Sequence, residues 1–379
     1  FVDVASVVRD KDNALLENIS TQSSQGQERT AGVYSAMSLN AWDMLYFTGT
    51  IRAESASTFG DDADNTFLFP SASLAWQFSE IAGLSGNALS FGKLRVSYGE
   101  VGVQPARYNT SNVFVSPSIG DQYGGNLNLG LYGNGGFVPS ANRGNASLLP
   151  ERKKELEIGA DLRFFEDKVS LSGTYFSNKT VDVLLDFPVA NSRGYSQVYT
   201  NGAEIQNTGY ELDLGIELMQ RKDFSWNITA NFTQVRNEVL DLRGVESIEL
   251  GGLAAVNSRA VEGQPLGVLW GSRSLRDESG NIVFDENGFP VQDELEGVIG
   301  DPNPDWQGAV STGIRFKNFR LSALFETYQG ADIYAGTKSV LSDLGLWENT
   351  GNEVTATRNL KEFNGNIINI GETFRGNVT

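Results

Sequence analysis

Apolar and polar residues alternate strictly over many short segments of the chain. In residues 155–164 every even position is apolar, and the odd positions carry Glu, Gly, Asp or Arg. The same split recurs in residues 210–218, 224–233 and 319–325. Because successive side chains of a strand point to opposite faces, the pattern predicts strands with one apolar and one polar face. These segments are close to the ~10 residues that a tilted strand needs to cross a bilayer.

The alternation predicts an all-β chain of eleven strands. Their expected bounds are 1–9, 31–41, 43–55, 67–78, 90–100, 154–164, 169–178, 208–219, 224–236, 308–316 and 319–328.

Alternation alone leaves open a soluble β-sandwich or barrel beside a transmembrane barrel. The lengths of the connections favour the membrane barrel, because short and long connections alternate. The short turns lie near 41–43, 166–168, 221–223 and 317–318, with a longer turn at 79–89, and the long excursions are 10–29, 55–66, 100–153, 178–207, 236–307 and 329–379. Short periplasmic turns on one rim and long extracellular loops on the other are typical of an antiparallel transmembrane β-barrel.

The same pattern predicts which side chains face lipid and which face the lumen. The apolar set expected on the lipid side is Leu156, Ile158, Leu162, Tyr210, Leu212, Leu214, Ile216, Phe224 and Ile228. The polar set expected in the lumen is Glu157, Asp161, Arg163, Glu211, Asp213, Asn227 and Asn231.

Composition narrows the possible chemistry. The chain has no cysteine and no histidine, which excludes disulfides, Cys/His metal sites and catalysis that needs an imidazole. Its formal charge of -18 argues against a nucleic-acid partner, since phosphate neutralisation needs clustered Lys and Arg. Paired carboxylates such as Glu155 with Glu157 share a strand face, which a polar lumen explains better than glycosidase catalysis. We therefore predict that the protein is not an enzyme and uses no cofactor.

Five stretches carry family-like motifs in a fixed order. Residues 91–102 match the pattern LKLRxSYGxxGNQ, with Val103-Gln104 where Asn-Gln is usual, and residues 145–159 match NPxLxWEKTxxxNIGxD, with Pro150-Glu151 in place of Trp-Glu. Residues 207–212 match NKGxEL, residues 300–305 match GDxxPxF, and residues 316–334 match YKNFDLSxxFxGxxGxDIY. Together, over roughly residues 90–335, they resemble the SusC/RagA-type TonB-dependent transporters.

This resemblance implies a barrel of roughly 22 strands around an N-terminal plug in the outer membrane of a Gram-negative bacterium. It further implies energy from the TonB complex, through a segment not in this chain, and a SusD-like surface lipoprotein that delivers a glycan or peptide. Since eleven strands are an odd number and single-chain bacterial barrels close with an even one, residues 1–379 are expected to be a partial barrel domain without the plug and the closing strands.

The long excursions hold the candidate site residues. Residues 236–308 contain fourteen acidic and five basic residues, a net charge of -9. Within them, the stretches 277–281 and 285–288 resemble calcium loops but fail the EF-hand spacing, and Asx-Gly turns explain them better, so a metal site stays open. Aromatic loop residues that could meet a substrate or partner protein are Tyr108, Tyr123, Tyr132 and Trp270.

Three functions remain in competition at this stage. The first is TonB-dependent import of a nutrient. A passive porin or structural outer-membrane barrel is the second, and a secreted carbohydrate-binding β-protein is the third. An upstream plug would select import over the porin, and solubility without detergent would select the secreted protein.

Overall fold

The computed structural model describes most of the chain. The described residues are 2–4, 21–23, 26–64, 66–81, 84, 86, 88–115, 118–119, 127–128, 137–253, 255–285, 290–344, 346–347, 353–361 and 367–375. Their long strands are, in chain order, β1 (Thr30–Ala41), β2 (Leu45–Ala56), β3 (Phe67–Trp76), β4 (Leu89–Val103), β5 (Glu151–Phe164), β6 (Val169–Pro188), β7 (Gln197–Arg221), β8 (Phe224–Asp241), β9 (Ser247–Leu253), β10 (Val256–Val261), β11 (Val268–Gly271), β12 (Gly297–Gly300), β13 (Trp306–Phe316) and β14 (Phe319–Gln329).

Ten of these strands form one antiparallel sheet, here called the wall. Its order is β14-β13-β8-β7-β6-β5-β4-β3-β2-β1, and the short strand Asn142–Arg143 adds to β7 in parallel to make eleven. Strands β9 to β12 form a separate four-stranded antiparallel sheet, here called the cap sheet. The sheet order confirms the predicted antiparallel all-β architecture.

The remaining described elements are small. Short antiparallel pairs join Val2–Val4 to Thr21–Ser23, Phe114–Val115 to Val138–Pro139, Ser118–Ile119 to Leu127–Asn128, Glu353–Thr355 to Thr373–Arg375, and Leu360–Lys361 to Ile367–Ile368. Single 3-10 turns cover Phe78–Glu80 and Asn191–Arg193. The one α-helix in the described ranges, Gly336–Asp343, has eight residues, and no described helix is long and apolar enough to cross a membrane.

Short connections lie along one edge of the wall, here the lower rim, and long ones along the other, the upper rim. At the lower rim the chain reverses at 42–44, 77–88, 165–168, 222–223 and 317–318. Trp42 and Asp43 adopt positive φ of 55° and 52°, a left-handed turn whose twist matches a two-stranded hairpin. Four of the five lower connections have two to four residues, and the upper connections 104–150 and 242–305 are long, so the predicted alternation is confirmed there, whereas the upper connection 189–196 is short.

Two predicted loops are instead structured. The prediction of a long loop at 178–207 was wrong, because β6 continues to Pro188 and β7 begins at Gln197. The excursion 236–307 holds the end of β8 and the cap sheet. The cap sheet packs on the extended hairpin, in a core of Val183, Phe187, Ala203, Val239, Leu242, Ile248 and Ala260. These segments form strands because their apolar side chains are buried against residues distant in sequence.

The first predicted strand, 1–9, differs as well. Its described part, Val2–Val4, pairs with Thr21–Ser23 outside the wall, and the other residues lie outside the described ranges.

Candidate functional site

The register of the wall sorts its side chains onto two chemically different faces. On β5, Leu156, Ile158 and Leu162 share one face with Tyr210 and Leu212 of β7, through the pairing of both strands with β6. This apolar face is accessible, with Ile158 52% and Leu212 46% exposed. The predicted lumen residues all lie on the opposite, polar face, so the predicted division into two faces is confirmed.

An ion cluster holds three strands together on the polar face. Asp161 lies 2.8 Å from Lys93 Nζ and 3.4 Å from Arg95 Nε, and it accepts a hydrogen bond from Ser172 Oγ at 2.7 Å. Arg95 also donates to Thr174 Oγ1 at 2.5 Å. Both cations therefore contact one carboxylate, and the contacts join β4, β5 and β6, as expected for charges on a partly desolvated surface.

An asparagine ladder crosses the polar face nearer the upper rim. Asn207 Nδ2 donates to Asn178 Oδ1 at 2.9 Å, and Asn237 Nδ2 donates to Asn207 Oδ1 at 2.5 Å. The backbone N–H of Leu266 then donates to Asn237 Oδ1 at 2.6 Å. The ladder links three wall strands to the segment that carries the cap sheet. It was missed by sequence reasoning, although each asparagine stands at a polar-face position.

Three carboxylates that form no ion pair with any described residue lie on the polar face of β7 and β14. Glu211, Asp213 and Glu326 line a groove of about 350 Å³ together with Asn231 and Tyr328. Within the described part of the chain none of these three carboxylates forms an ion pair. The polar face thus carries ion-paired side chains near β4 and, in the groove between β7 and β14, carboxylates that the described structure leaves without ion pairs, while Arg315 and Arg320 lie on the same face nearer the lower rim.

Aromatic pairs lie on the apolar face towards the upper rim. The rings of Tyr175 and Tyr210 are 5.2 Å apart, and Phe232 stacks on Trp306 at 5.8 Å. Below them, Trp226 Nε1 donates to Thr312 Oγ1 at 3.0 Å. Amphipathic rings at the edge of an apolar band are typical of a membrane interface.

Asparagines also clamp the upper connections onto the wall. Asn201 Nδ2 donates to the carbonyls of Leu149 and Asp182, both at 2.8 Å, and Asn201 Oδ1 accepts from the Leu149 N–H at 2.8 Å. Asn145 donates to Thr200 Oγ1 at 3.0 Å. These contacts hold residues 145–150 against the extended hairpin and bury Leu148 completely.

Two titratable groups in the upper hairpin are perturbed. Burial raises the pKa of Asp186 above its usual range. Burial also raises the pKa of Tyr199, and the charges of Glu151 and Asp186 act in the same direction.

The predicted loop aromatics are placed as follows. Tyr108 is 58% exposed, adopts φ of 66°, and its hydroxyl accepts the Gln27 N–H at 2.9 Å. Trp270 lies on β11 of the cap sheet, half-buried, with the Arg259 guanidinium 5.1 Å from its ring centroid. The structure does not bring these two together, and Tyr123 and Tyr132 lie outside the described residues.

The predicted turn at Asp277 is confirmed. Asp277 Oδ1 accepts the N–H groups of Ser279 at 2.9 Å and Asn281 at 2.8 Å, and the Asn281 N–H is the largest cause of a lowered Asp277 pKa. In the second stretch, Asp285 is described and residues 286–288 lie outside the described ranges. Over the described ranges, no group of three acidic side chains is arranged to hold a metal ion.

Comparison with known proteins gives consistent matches. Residues 7–351 match the family described as TonB dependent receptor-like, beta-barrel. The chain is 30% identical over 319 residues to TonB-dependent receptor P26 of Formosa agariphila, covering 77% of this chain and 31% of that protein. It is 26% identical over 336 residues to TonB-dependent receptor SusC of Bacteroides thetaiotaomicron, covering 80% of this chain and 32% of that one.

Solved structures share the fold. The RagAB peptide importer in its closed-closed state superposes with a TM-score of 0.69 at 20% identity, covering 91% of this chain and 37% of that one. Its open-open state gives a TM-score of 0.68 at 20% identity, covering 84% and 35%. The chain spans about a third of the length of the curated relatives P26 and SusC, at 31% and 32%.

Proposed function

Because the chain belongs to the TonB-dependent receptor-like β-barrel family, we propose that it forms part of the wall of a transporter that imports a nutrient, a glycan or a peptide. The chain is an outer-membrane β-barrel protein of a Gram-negative bacterium. The observation that carries the proposal is the two-faced wall. An apolar face towards lipid and a hydrogen-bonded polar face towards a lumen are what a barrel that passes polar cargo requires.

The described wall has two open edges, β1 and β14. In hydrocarbon each unpaired N–H or C=O costs several kcal/mol, so further strands have to pair with these edges. We take the complete barrel to have roughly 22 strands around a plug. The share of the relatives that the chain spans supports this size.

The proposed partners are inferred from the relatives of this chain. SusC is a relative of this chain, and the RagAB importer, which shares its fold, is a peptide importer. For this chain we propose a SusD-like surface lipoprotein at the upper rim and energy from the TonB complex. Family membership favours energised import over a passive porin. The secreted β-protein does not fit an outer-membrane chain.

We also propose that no wall residue is catalytic. Lys153 lies 2.6 Å from Glu155, and Ser97 donates to Glu157 at 3.4 Å, so both carboxylates of the pair have structural contacts.

We further propose that the loop aromatics contact substrate or the lipoprotein, namely Tyr108, Tyr123, Tyr132 and Trp270. Tyr108→Phe keeps the ring and removes the hydroxyl that accepts the Gln27 N–H. Trp270→Ala removes a stacking face. If W270A loses binding of the substrate or the lipoprotein and Y108F keeps it, the contact is assigned to Trp270.

Uptake by cells tests the proposal. Deleting the parent gene should abolish uptake of one labelled nutrient class, glycan or peptide, and complementation should restore it. Depleting TonB should abolish the restored uptake. Continued uptake without TonB would indicate passive diffusion and contradict the proposal.

A further inference from the structure

The lipid-side face of the wall carries a polar cleft that the import route does not use. The cleft has a volume of about 710 Å³ and lies between the upper parts of β7 and β8 and the loops 263–265 and 301–305. Its wall residues with side chains on this face are Gln206, Thr208, Gln234, Arg236 and Glu238.

Strand register fixes the position of this cleft, here called the outer cleft. Thr208 pairs with Arg236, and two residues further down each strand Tyr210 pairs with Gln234. The next position on the same face is Phe232, which stacks on Trp306. The outer cleft therefore begins where the apolar face ends, at the level where lipid headgroups lie.

Three wall side chains of the outer cleft have no protein partner in the part of the chain that the structure describes, although Asp301 and Asn303 in its loops are hydrogen-bonded to each other. Gln206 and Gln234 are half-buried, and neither they nor Arg236 makes a side-chain hydrogen bond or ion pair with any residue in the described ranges. On the opposite face of the same strands, Asn207 and Asn237 are linked to each other. The two half-buried amides without partners among the described residues, beside the exposed guanidinium of Arg236, leave hydrogen-bonding groups free for a ligand from outside the chain.

The mixture of groups defines the ligand chemistry. Arg236 and the two glutamines donate hydrogen bonds, while Glu238, Asp301 and Asp305 accept them. One cation among three carboxylates disfavours an anion. Sugar hydroxyls both donate and accept, and aromatic rings border the outer cleft below. We propose that the outer cleft binds a neutral, hydroxyl-rich sugar unit, either as the headgroup of a surrounding lipid or as a free saccharide.

The test uses the whole transporter that contains this chain. It is reconstituted in phosphatidylethanolamine nanodiscs with digalactosyl diacylglycerol, and retained glycolipid is counted by native mass spectrometry. A parallel titration uses digalactosyl glycerol, the same headgroup without acyl chains. The double variant Gln234→Ala with Arg236→Ala should weaken binding at least about tenfold, the loss expected for removal of one or two hydrogen bonds to the ligand.

Lys154→Ala is the matched control, because Lys154 is an exposed cation on the same face of β5, outside the outer cleft. It should bind like wild type. Retention of the glycolipid alone assigns the site to the membrane, and binding of the soluble headgroup alone assigns it to a free saccharide. Absence of both, or equal loss in Lys154→Ala, would overturn the proposal. Nutrient uptake is measured separately, so failure here leaves the import proposal intact.

Discussion

The backbone N–H of Leu266 donates a hydrogen bond of 2.6 Å to the side-chain oxygen of Asn237. This contact joins the asparagine ladder of the wall to the segment between β10 and β11. Asn237→Ala would leave the Leu266 N–H without its partner, at a local cost of about 1–3 kcal/mol. We expect faster hydrogen exchange in residues 262–266 and easier proteolysis of the cap sheet.

Asn227→Ala is the control for that experiment, since the Asn227 side chain lies on the same face of β8 near the lower rim. Exchange in residues 262–266 should not change in this variant. Equal loosening in both variants would show that the Asn237 contact does not anchor the cap sheet.

Leu214 and Asp213 are neighbours on β7, and their side chains lie on opposite faces of the wall. Leu214→Arg should cost about 2–4 kcal/mol if the residue is near the bilayer midplane, while Asp213→Arg should cost much less. Unfolding from lipid vesicles by denaturant measures both. Single cysteine spin labels at the two positions provide a second readout, because the chain has no native cysteine.

The labels should respond differently to relaxation agents. At Leu214 relaxation should follow dissolved oxygen, which concentrates in lipid, and at Asp213 it should follow an aqueous agent. The reverse result would place the apolar face inside, as in a soluble β-sandwich.

The sequence predicts those features of the fold that depend on residues close together in the chain, and it does not predict features that depend on contacts between distant residues. The two faces were predictable at Leu156, Glu157 and Ile158 because alternation is a local property of a strand. The extension of β6 was not, because Val183 is buried against residues near Ile248, which no local pattern reveals.

The same distinction applies to the candidate site. The turn at Asp277 was predictable, since its hydrogen bonds reach only Ser279 and Asn281. The tether between Tyr108 and Gln27 joins residues 81 positions apart and leaves no local signal. The ladder required strand register, which places Asn178, Asn207 and Asn237 side by side.

Asp161 is the shared anion of Lys93 and Arg95. Asp161→Asn would remove the carboxylate that both cations share, and we expect a loss of about 1–2 kcal/mol, reduced from the buried case because the site is partly exposed. Denaturant unfolding in vesicles measures it. Asp213→Asn, a polar-face aspartate without an ion pair to any described residue, should change stability little.

A double-mutant cycle with Lys93→Met isolates the Lys93–Asp161 interaction. The coupling energy should be at least about 0.5 kcal/mol for residues in direct contact. Strict additivity would mean that the ion pair contributes nothing measurable.

The turn at Asp277 should be sensitive to acid. The folded pKa of Asp277 lies below its ordinary value, chiefly because the Asn281 N–H donates to the ionised carboxylate. A lowered folded pKa means that the unfolded turn binds a proton more readily. The stabilisation is therefore complete above the ordinary carboxyl pKa and is lost as pH falls through the folded pKa.

Asparagine at the same position separates charge from geometry. Asp277→Asn keeps an acceptor oxygen for the Ser279 and Asn281 N–H groups but has no proton to gain, so its turn should be weaker at neutral pH and unchanged by acid. Hydrogen-exchange protection of the Ser279 and Asn281 N–H groups, corrected for the intrinsic pH dependence of exchange, measures this. Protection should fall in acid for the wild type and stay flat for Asp277→Asn, and Asp277→Ala should be unprotected throughout. Parallel curves for wild type and Asp277→Asn would show that ionisation of Asp277 does not hold the turn.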